Sequence, residues 1–200
     1  MPFSSDKTRQ GAAGVSTGFE IPYSCRFEAD SAAVLTRTPA GVSNRKTWTF
    51  SAWVKRGDLG IYSGIFGTDE AGGAAGGGGE RKVSLNFDTD DTFRVTSDDT
   101  PAFKMITTAF YRDPSAWYHI VLALDTTQGV EANRFKLYFN GTQVTSFSTS
   151  NYPAEDLEPS VNYTIEHRVG KAYTGEEHDG YLAEVHFIDG TALTPTSFGE

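Results

Sequence analysis

The chain has 200 residues, with 26 acidic against 17 basic for a formal net charge of −9, and it carries 14 Phe, 9 Tyr and 3 Trp. So many rings exclude an intrinsically disordered chain, and the acidic balance argues against nucleic acid and anionic membrane surfaces, which need a basic face. The lone Cys25 excludes an intrachain disulfide or a multi-cysteine metal site, no run reaches the ~18 apolar residues of a spanning helix, and Met1–Gln10 lacks the basic-then-apolar order of a signal peptide.

Met1–Gly18 is small and polar, without a period of 2 or 3.6. It reads either as a flexible terminus or as an extended arm that orders against a partner subunit. From Ser24 onward, strands follow one another between turn residues. The segment Ser24–Ala29 alternates and places Cys25 as a small buried hydrophobe beside Phe27's face. A second strand covers Ala33–Arg37. Lys46–Lys55 is the clearest: Trp48, Phe50, Ala52 and Val54 share one face, with Thr47, Thr49, Ser51, Trp53 and Lys55 on the other.

Ile61–Phe66 reads as a strand of small residues and leads into the glycine-rich run Ala71–Gly79. That run lacks the Lys-Ser/Thr ending of a phosphate loop and any amphipathic helix after it, so it reads as a surface hairpin loop. Strands then follow at Lys82–Phe87, Phe93–Val95 and Ala102–Ala109. Trp117–Asp125 is apolar on both faces, as in a central strand covered on both sides. Arg134–Phe139 alternates again, and Asn140-Gly141 makes a type I′ hairpin turn into a strand over Thr142–Phe147, since both turn positions need positive φ.

Tyr163, Ile165, His167 and Val169 alternate in the next strand, and Tyr181, Ala183, Val185 and Phe187 in the last. Thr194-Pro195 offers an N-cap and a first-turn proline for a short helical turn. About ten to twelve short strands without a long amphipathic helix indicate an all-β fold, a two-sheet antiparallel β-sandwich or a barrel. The expected organisation is an extended N-terminal arm over 1–20, a sandwich domain over 21–190, and a helical turn with a C-terminal tail over 191–200.

Four segments carry a family likeness. Ser43–Arg56 (SNRKTWTFSAWVKR) resembles the early core strand of laminin-G-like, concanavalin A-like lectin/glucanase domains. Trp117–Val121, Leu137–Val144 (LYFNGTQV) and Gly180–Val185 resemble three later strands of that family, in the family's order. The ordered set is a stronger signal than any one segment, and it implies a concanavalin A-like jelly roll. Arg9–Gly14, Leu35–Pro39 and Tyr181–Glu200 are similar to structural proteins of tailed bacteriophages. That likeness implies a virion location, in a tail fibre, an appendage or a capsid-surface decoration. It also implies other virion proteins as partners through the arm, and a homo-oligomer with a trimer as first guess. Fold alone does not give activity.

Glycosidases of the family use two carboxylates at a tight Glu-x-Asp-x-x-Glu spacing. Glu176, Glu177, Asp179, Glu184 and Asp189 do not meet it, and Glu184 and Asp189 would lie on opposite faces of a regular strand, so no enzyme is expected. His119, His167, His178 and His186 lack zinc spacing, and His119 suits a satisfied core imidazole. Asp88, Asp90 and Asp91 at a strand end are the residues that could hold calcium, though such clusters commonly just mark a solvated turn. Sugar binding needs exposed rings beside short polar groups. Trp53, Tyr62, Tyr111, Tyr152 and Tyr173 are the candidates, with host surface glycans as ligands in the alternative reading of an adhesin.

Overall fold

A computed structural model describes residues 21–69, 82–99, 101–172 and 176–199. The expected arm, the run Ala71–Gly79 and Tyr173 lie outside the described residues.

Two antiparallel sheets form a sandwich. The six-stranded sheet runs in the order β1 (Cys25–Phe27), β13 (Gly180–Asp189), β3 (Thr47–Arg56), β8 (Tyr118–Asp125), β9 (Phe135–Phe139) and β10 (Thr142–Gln143). The seven-stranded sheet runs β11 (Phe147–Asn151), β7 (Phe103–Phe110), β6 (Thr92–Ser97), β5 (Lys82–Phe87), β4 (Ser63–Asp69), β12 (Glu166–Val169) and β2 (Leu35–Arg37). Of the sandwich and the barrel that the alternation allows, this is the two-sheet antiparallel sandwich, the jelly roll that the resemblance implies. No described helix is long and apolar enough to cross a membrane.

The alternation of β3 decides its orientation. Trp48, Phe50, Ala52 and Val54 are fully buried between the sheets, facing Val83, Leu85 and Phe87 of β5 and Phe93 and Val95 of β6 in one apolar cluster. Burying each large side chain stabilises the fold by about 2–3 kcal/mol. Ring contacts add direction: Phe87 meets Phe93 edge-on at 5.2 Å, and Phe93 meets Phe139 at 5.2 Å.

One cation enters this core. Arg56, 1% exposed, lies 3.1 Å from Asp91, donates to the Tyr111 carbonyl at 2.6 Å and sits 4.4 Å over the Phe87 ring. Burial lowers the Arg56 pKa and Asp91 opposes that shift. Burial also raises Asp91, but the Gly60 N–H, Arg112 and Arg56 outweigh it and leave Asp91 below the usual carboxylate value.

The outward residues of the six-stranded sheet are covered in part by the C-terminal segment. Thr49 Oγ1 donates to the Thr191 carbonyl (2.8 Å) and accepts from the Leu193 N–H (2.8 Å). A 3-10 turn at Pro195–Phe198 brings Phe198 edge-on to His119 at 6.3 Å and beside His186 at 5.8 Å. Thr49, Ser51, Val121 and Ala123 are buried as a result, so β8 is covered on both faces as its sequence indicates. Thr194 takes the N-cap position with Pro195 at the start of the turn, but its side chain makes no cap hydrogen bond.

Three expectations need correction. Cys25 is exposed, not buried. It lies on a three-residue edge strand, in an open seam lined by Leu35, Val169 and Leu182, where no described residue covers it. Alternation also fails within β13. The register shifts between Ala183 and His186, and Glu184 adopts φ 45°. This bulge inserts a residue and flips the phase. Tyr181 and Ala183 therefore share the outer face with His186, while Phe187 turns inward to stack on Trp48 at 5.7 Å. Thr142–Phe147 is not one strand either: β10 stops after two residues, and the chain crosses to the other sheet, where β11 pairs with β7. A crossover that keeps a polar alternating pattern leaves no mark on periodicity.

Candidate functional site

The outer face of the six-stranded sheet carries a cleft of about 850 Å³. Register builds it: Trp53 of β3 lies between Ala183 of β13 and His119 of β8, and Trp117 enters just before β8. Both indoles line the cleft, with Tyr23 and Ser24, the turn Asn140–Thr142, and Gly199 of the covering segment.

The Trp53 ring stacks on His119 with centroids 4.7 Å apart and planes 12° from parallel. His119 Nε2 is 2.9 Å from Ser51 Oγ, and this buried imidazole lies on the outer face beside Trp53 rather than in the core between the sheets, where the sequence placed it. Trp53 Nε1 is buried with no hydrogen-bond partner among the described residues. Leaving a buried donor unmet costs about 1–3 kcal/mol. Trp117 leans on Tyr181 at 6.5 Å, and Arg26 lies over Tyr181 at 5.6 Å.

Asn140 and Gly141 both have positive φ, at 47° and 73°, as a type I′ turn demands. The Asn140 N–H donates to the His119 carbonyl (2.8 Å), and Asn140 Oδ1 accepts from the His119 N–H (2.7 Å). The turn is thereby locked to the start of β8, which leaves Asn140 Nδ2 as a donor at the cleft wall.

The outer face of the seven-stranded sheet is built differently. Arg94 of β6 donates to Asn86 Oδ1 (3.2 Å), pairs with Glu176 (3.0 Å), lies 3.7 Å from Asp88 and covers the Tyr62 ring at 5.0 Å. Ser84 and Thr96 share a hydrogen bond at 2.8 Å beside it. Ala172 packs directly on this face because residue 64 is glycine: a Cβ there would lie 2.2 Å from the Ala172 nitrogen.

The sequence candidates separate accordingly. Trp53 lies in the cleft. Tyr62 is half-exposed on the opposite face, beneath Arg94. Tyr111 cannot serve as a platform: it is 8% exposed and stacks on Phe139 at 3.9 Å within the core, and burial raises its hydroxyl pKa. Tyr152 is half-buried against the same core. Trp117 was missed because no periodicity links a residue before β8 to Trp53; only the β3–β8 register does.

The acids at the strand end have protein partners. Asp88 accepts from the Thr89 N–H, and Asp90 from the N–H and hydroxyl of Thr92. Asp91 holds Arg56, Arg112 and the Gly60 N–H. Among the described residues no group of three or more metal-ligating side chains converges. Of the acids weighed for glycoside cleavage, Glu176 pairs with Arg94, Glu177 with Lys171 at 2.6 Å and Glu184 with His186 at 3.3 Å. Asp189 accepts from the Asn44 N–H and from Asn162 Nδ2.

Residues 28–197 match the family model of the concanavalin A-like lectin/glucanases superfamily. No curated protein matches the chain. Among solved structures, the chain is similar to a native heptameric SAP-like pentraxin from Limulus polyphemus, with TM-score 0.55, 14% identity, and 82% of this chain and 73% of that one covered. Domain 4 of AbnA, an extracellular GH43 arabinanase of Geobacillus stearothermophilus solved with arabinotriose, gives TM-score 0.54 and 19% identity over 79% of this chain and 66% of that one. The CBM40 of a Ruminococcus gnavus IT-sialidase, bound to α2,3 sialyllactose, gives TM-score 0.53 and 12% identity over 82% and 96%. At these identities the likeness concerns the fold.

Proposed function

The chain belongs to the concanavalin A-like lectin/glucanases superfamily, and from that premise we propose that it is a non-catalytic carbohydrate-binding domain whose ligand lies in the Trp53–Trp117 cleft. The observation that carries this reading is the pair of indoles in one cleft with the Asn140 amide, the Thr142 hydroxyl and the Ser24 hydroxyl. Sugar rings offer apolar C–H faces to aromatic side chains and hydroxyls to short polar groups, which is this combination.

Trp53 supports the reading from another side. An outward position that leaves an indole N–H unmet is a poor choice for stability, and such groups ask for another reason to persist. The arabinanase domain and the sialidase module, similar in fold, were each solved with an oligosaccharide. A catalytic role finds no support in Glu176, Glu177, Glu184 and Asp189, each of which is held by a partner within the protein.

The likeness to tailed-phage structural proteins gives this domain a setting, a particle surface where it would hold host glycans. Two of the segments that carry it, Leu35–Pro39 and Tyr181–Glu200, include edge strand β2 and the covering segment beside the cleft. Display in several copies would raise avidity without new contacts.

The test is a printed glycan array probed with wild type and Trp53→Ala. Glycans retained by wild type and lost by the variant, with an unchanged fold by circular dichroism, are the expected result. An array on which both proteins give the same pattern removes the cleft as the site.

A further inference from the structure

We infer that the cleft selects uncharged glycans and rejects those bearing carboxylates; this rests on the carbohydrate-binding reading above. Among the described residues, none that lines the cleft is charged. Its polar groups are an amide, hydroxyls and backbone, all suited to neutral hydroxyls.

Two cations of the same face, Arg26 and Lys55, are engaged elsewhere. Arg26 pairs with Glu28 at 3.0 Å and donates to the Tyr181 hydroxyl at 3.3 Å. Lys55 lies opposite Tyr181 in the register, and its charge helps to hold Asp113 below the usual carboxylate range, after the Ser115 hydrogen bonds. A sialic acid or uronate entering this cleft would give up its hydration without a guanidinium or ammonium to replace it, and burying an unpaired carboxylate is strongly unfavourable. Net charge −9 adds long-range repulsion.

The cleft volume, about 850 Å³, lies toward the upper end of the ~300–1,000 Å³ typical of small-ligand sites. That space suits a short run of sugars better than a single ring.

The experiment is calorimetric titration of the whole chain with neutral trisaccharides (arabinotriose, xylotriose, cellotriose, maltotriose and chitotriose) and with acidic ones (3′-sialyllactose and trigalacturonate). Each is run with wild type and Trp117→Ala, at about 0.05 and about 0.5 M salt. The expected result is binding of at least one neutral sugar, weakened about tenfold by Trp117→Ala and changed less than about threefold by salt. Acidic sugars bound more tightly than any neutral one, with loss in both Trp117→Ala and high salt, overturn the selectivity and leave the cleft as a glycan site. Binding that survives Trp117→Ala, or no binding to any sugar in the panel or on the array, overturns the site and the selectivity together.

Discussion

The two outer faces of the sandwich treat polar groups in opposite ways. On the seven-stranded sheet, Arg94 is surrounded by Asn86, Asp88, Glu176 and Tyr62, with its charge matched and its surface mostly covered. On the six-stranded sheet, the covering segment seals Thr49, Ser51 and Val121, and beside Gly199 opens a cleft whose described lining is uncharged and carries two tryptophans. The first face spends its polar groups on holding the protein together. The second leaves an amide and hydroxyls facing solvent next to apolar rings. A surface rich in charge is therefore not the better ligand site; what matters is whether its groups are already satisfied.

Variants can break this contrast. Arg94→Met should destabilise most, by about 3 kcal/mol, because it leaves Glu176 and Asp88 facing each other without their cation. Urea unfolding measures this, and glycan affinity at the cleft should not change. Loss of glycan binding with Arg94 would mean that the paired face is the site.

Acid should next loosen the packing between the sheets. His178 anchors the segment beside β4, with Nδ1 2.9 Å from Ser63 Oγ, and burial lowers its pKa from 6.5 to about 4. A depressed folded pKa means that its contribution is complete above the unfolded value and is lost as pH falls through the folded one. Between pH ~6.5 and ~4 the unfolded chain binds the extra proton, so stability should drop by an amount on the order of 3 kcal/mol. His178→Gln should flatten that slope. An equal slope in the variant assigns the acid sensitivity to other groups.

The cleft side responds more gently. Trp117→Ala should weaken glycan binding about tenfold, near 1.4 kcal/mol, with little change in melting temperature. Asn140→Gly keeps the positive φ but removes the acceptor of the His119 N–H, so it should cost about 1 kcal/mol of stability and weaken binding a few-fold. Thermal melts and titration of the two variants side by side separate a wall of the cleft from a lock on the turn.

Much of this contrast was legible in the residue order. The inward rings of β3, β5 and β8 follow strict alternation, and Asn140-Gly141 marks its turn by the only backbone chemistry that fits. Trp53's outward position was legible too. What was hidden depends on register or on a single residue's backbone. The bulge at Glu184 rotates the rest of β13 without altering its composition. Tyr111 sits outside any strand, so only the packed core reveals that its ring faces Phe139. Cys25 obeys alternation but meets no opposing sheet, and Asp91 looks like its neighbours until Arg56 is placed beside it.

The pairing of β3 with β13 also governs how the molecule can be made. Thr47–Arg56 and Gly180–Asp189 are neighbours in the sheet, yet more than a hundred positions apart along the chain. During synthesis β3 must wait, one flank open, until Gly180–Asp189 has left the ribosome. Such a late closure slows folding and exposes a sticky edge to other nascent copies. The polar outward row Thr47, Thr49 and Ser51 makes that interval less hazardous, because an edge lined with hydroxyls on one side is a poorer template for aggregation than one apolar on both.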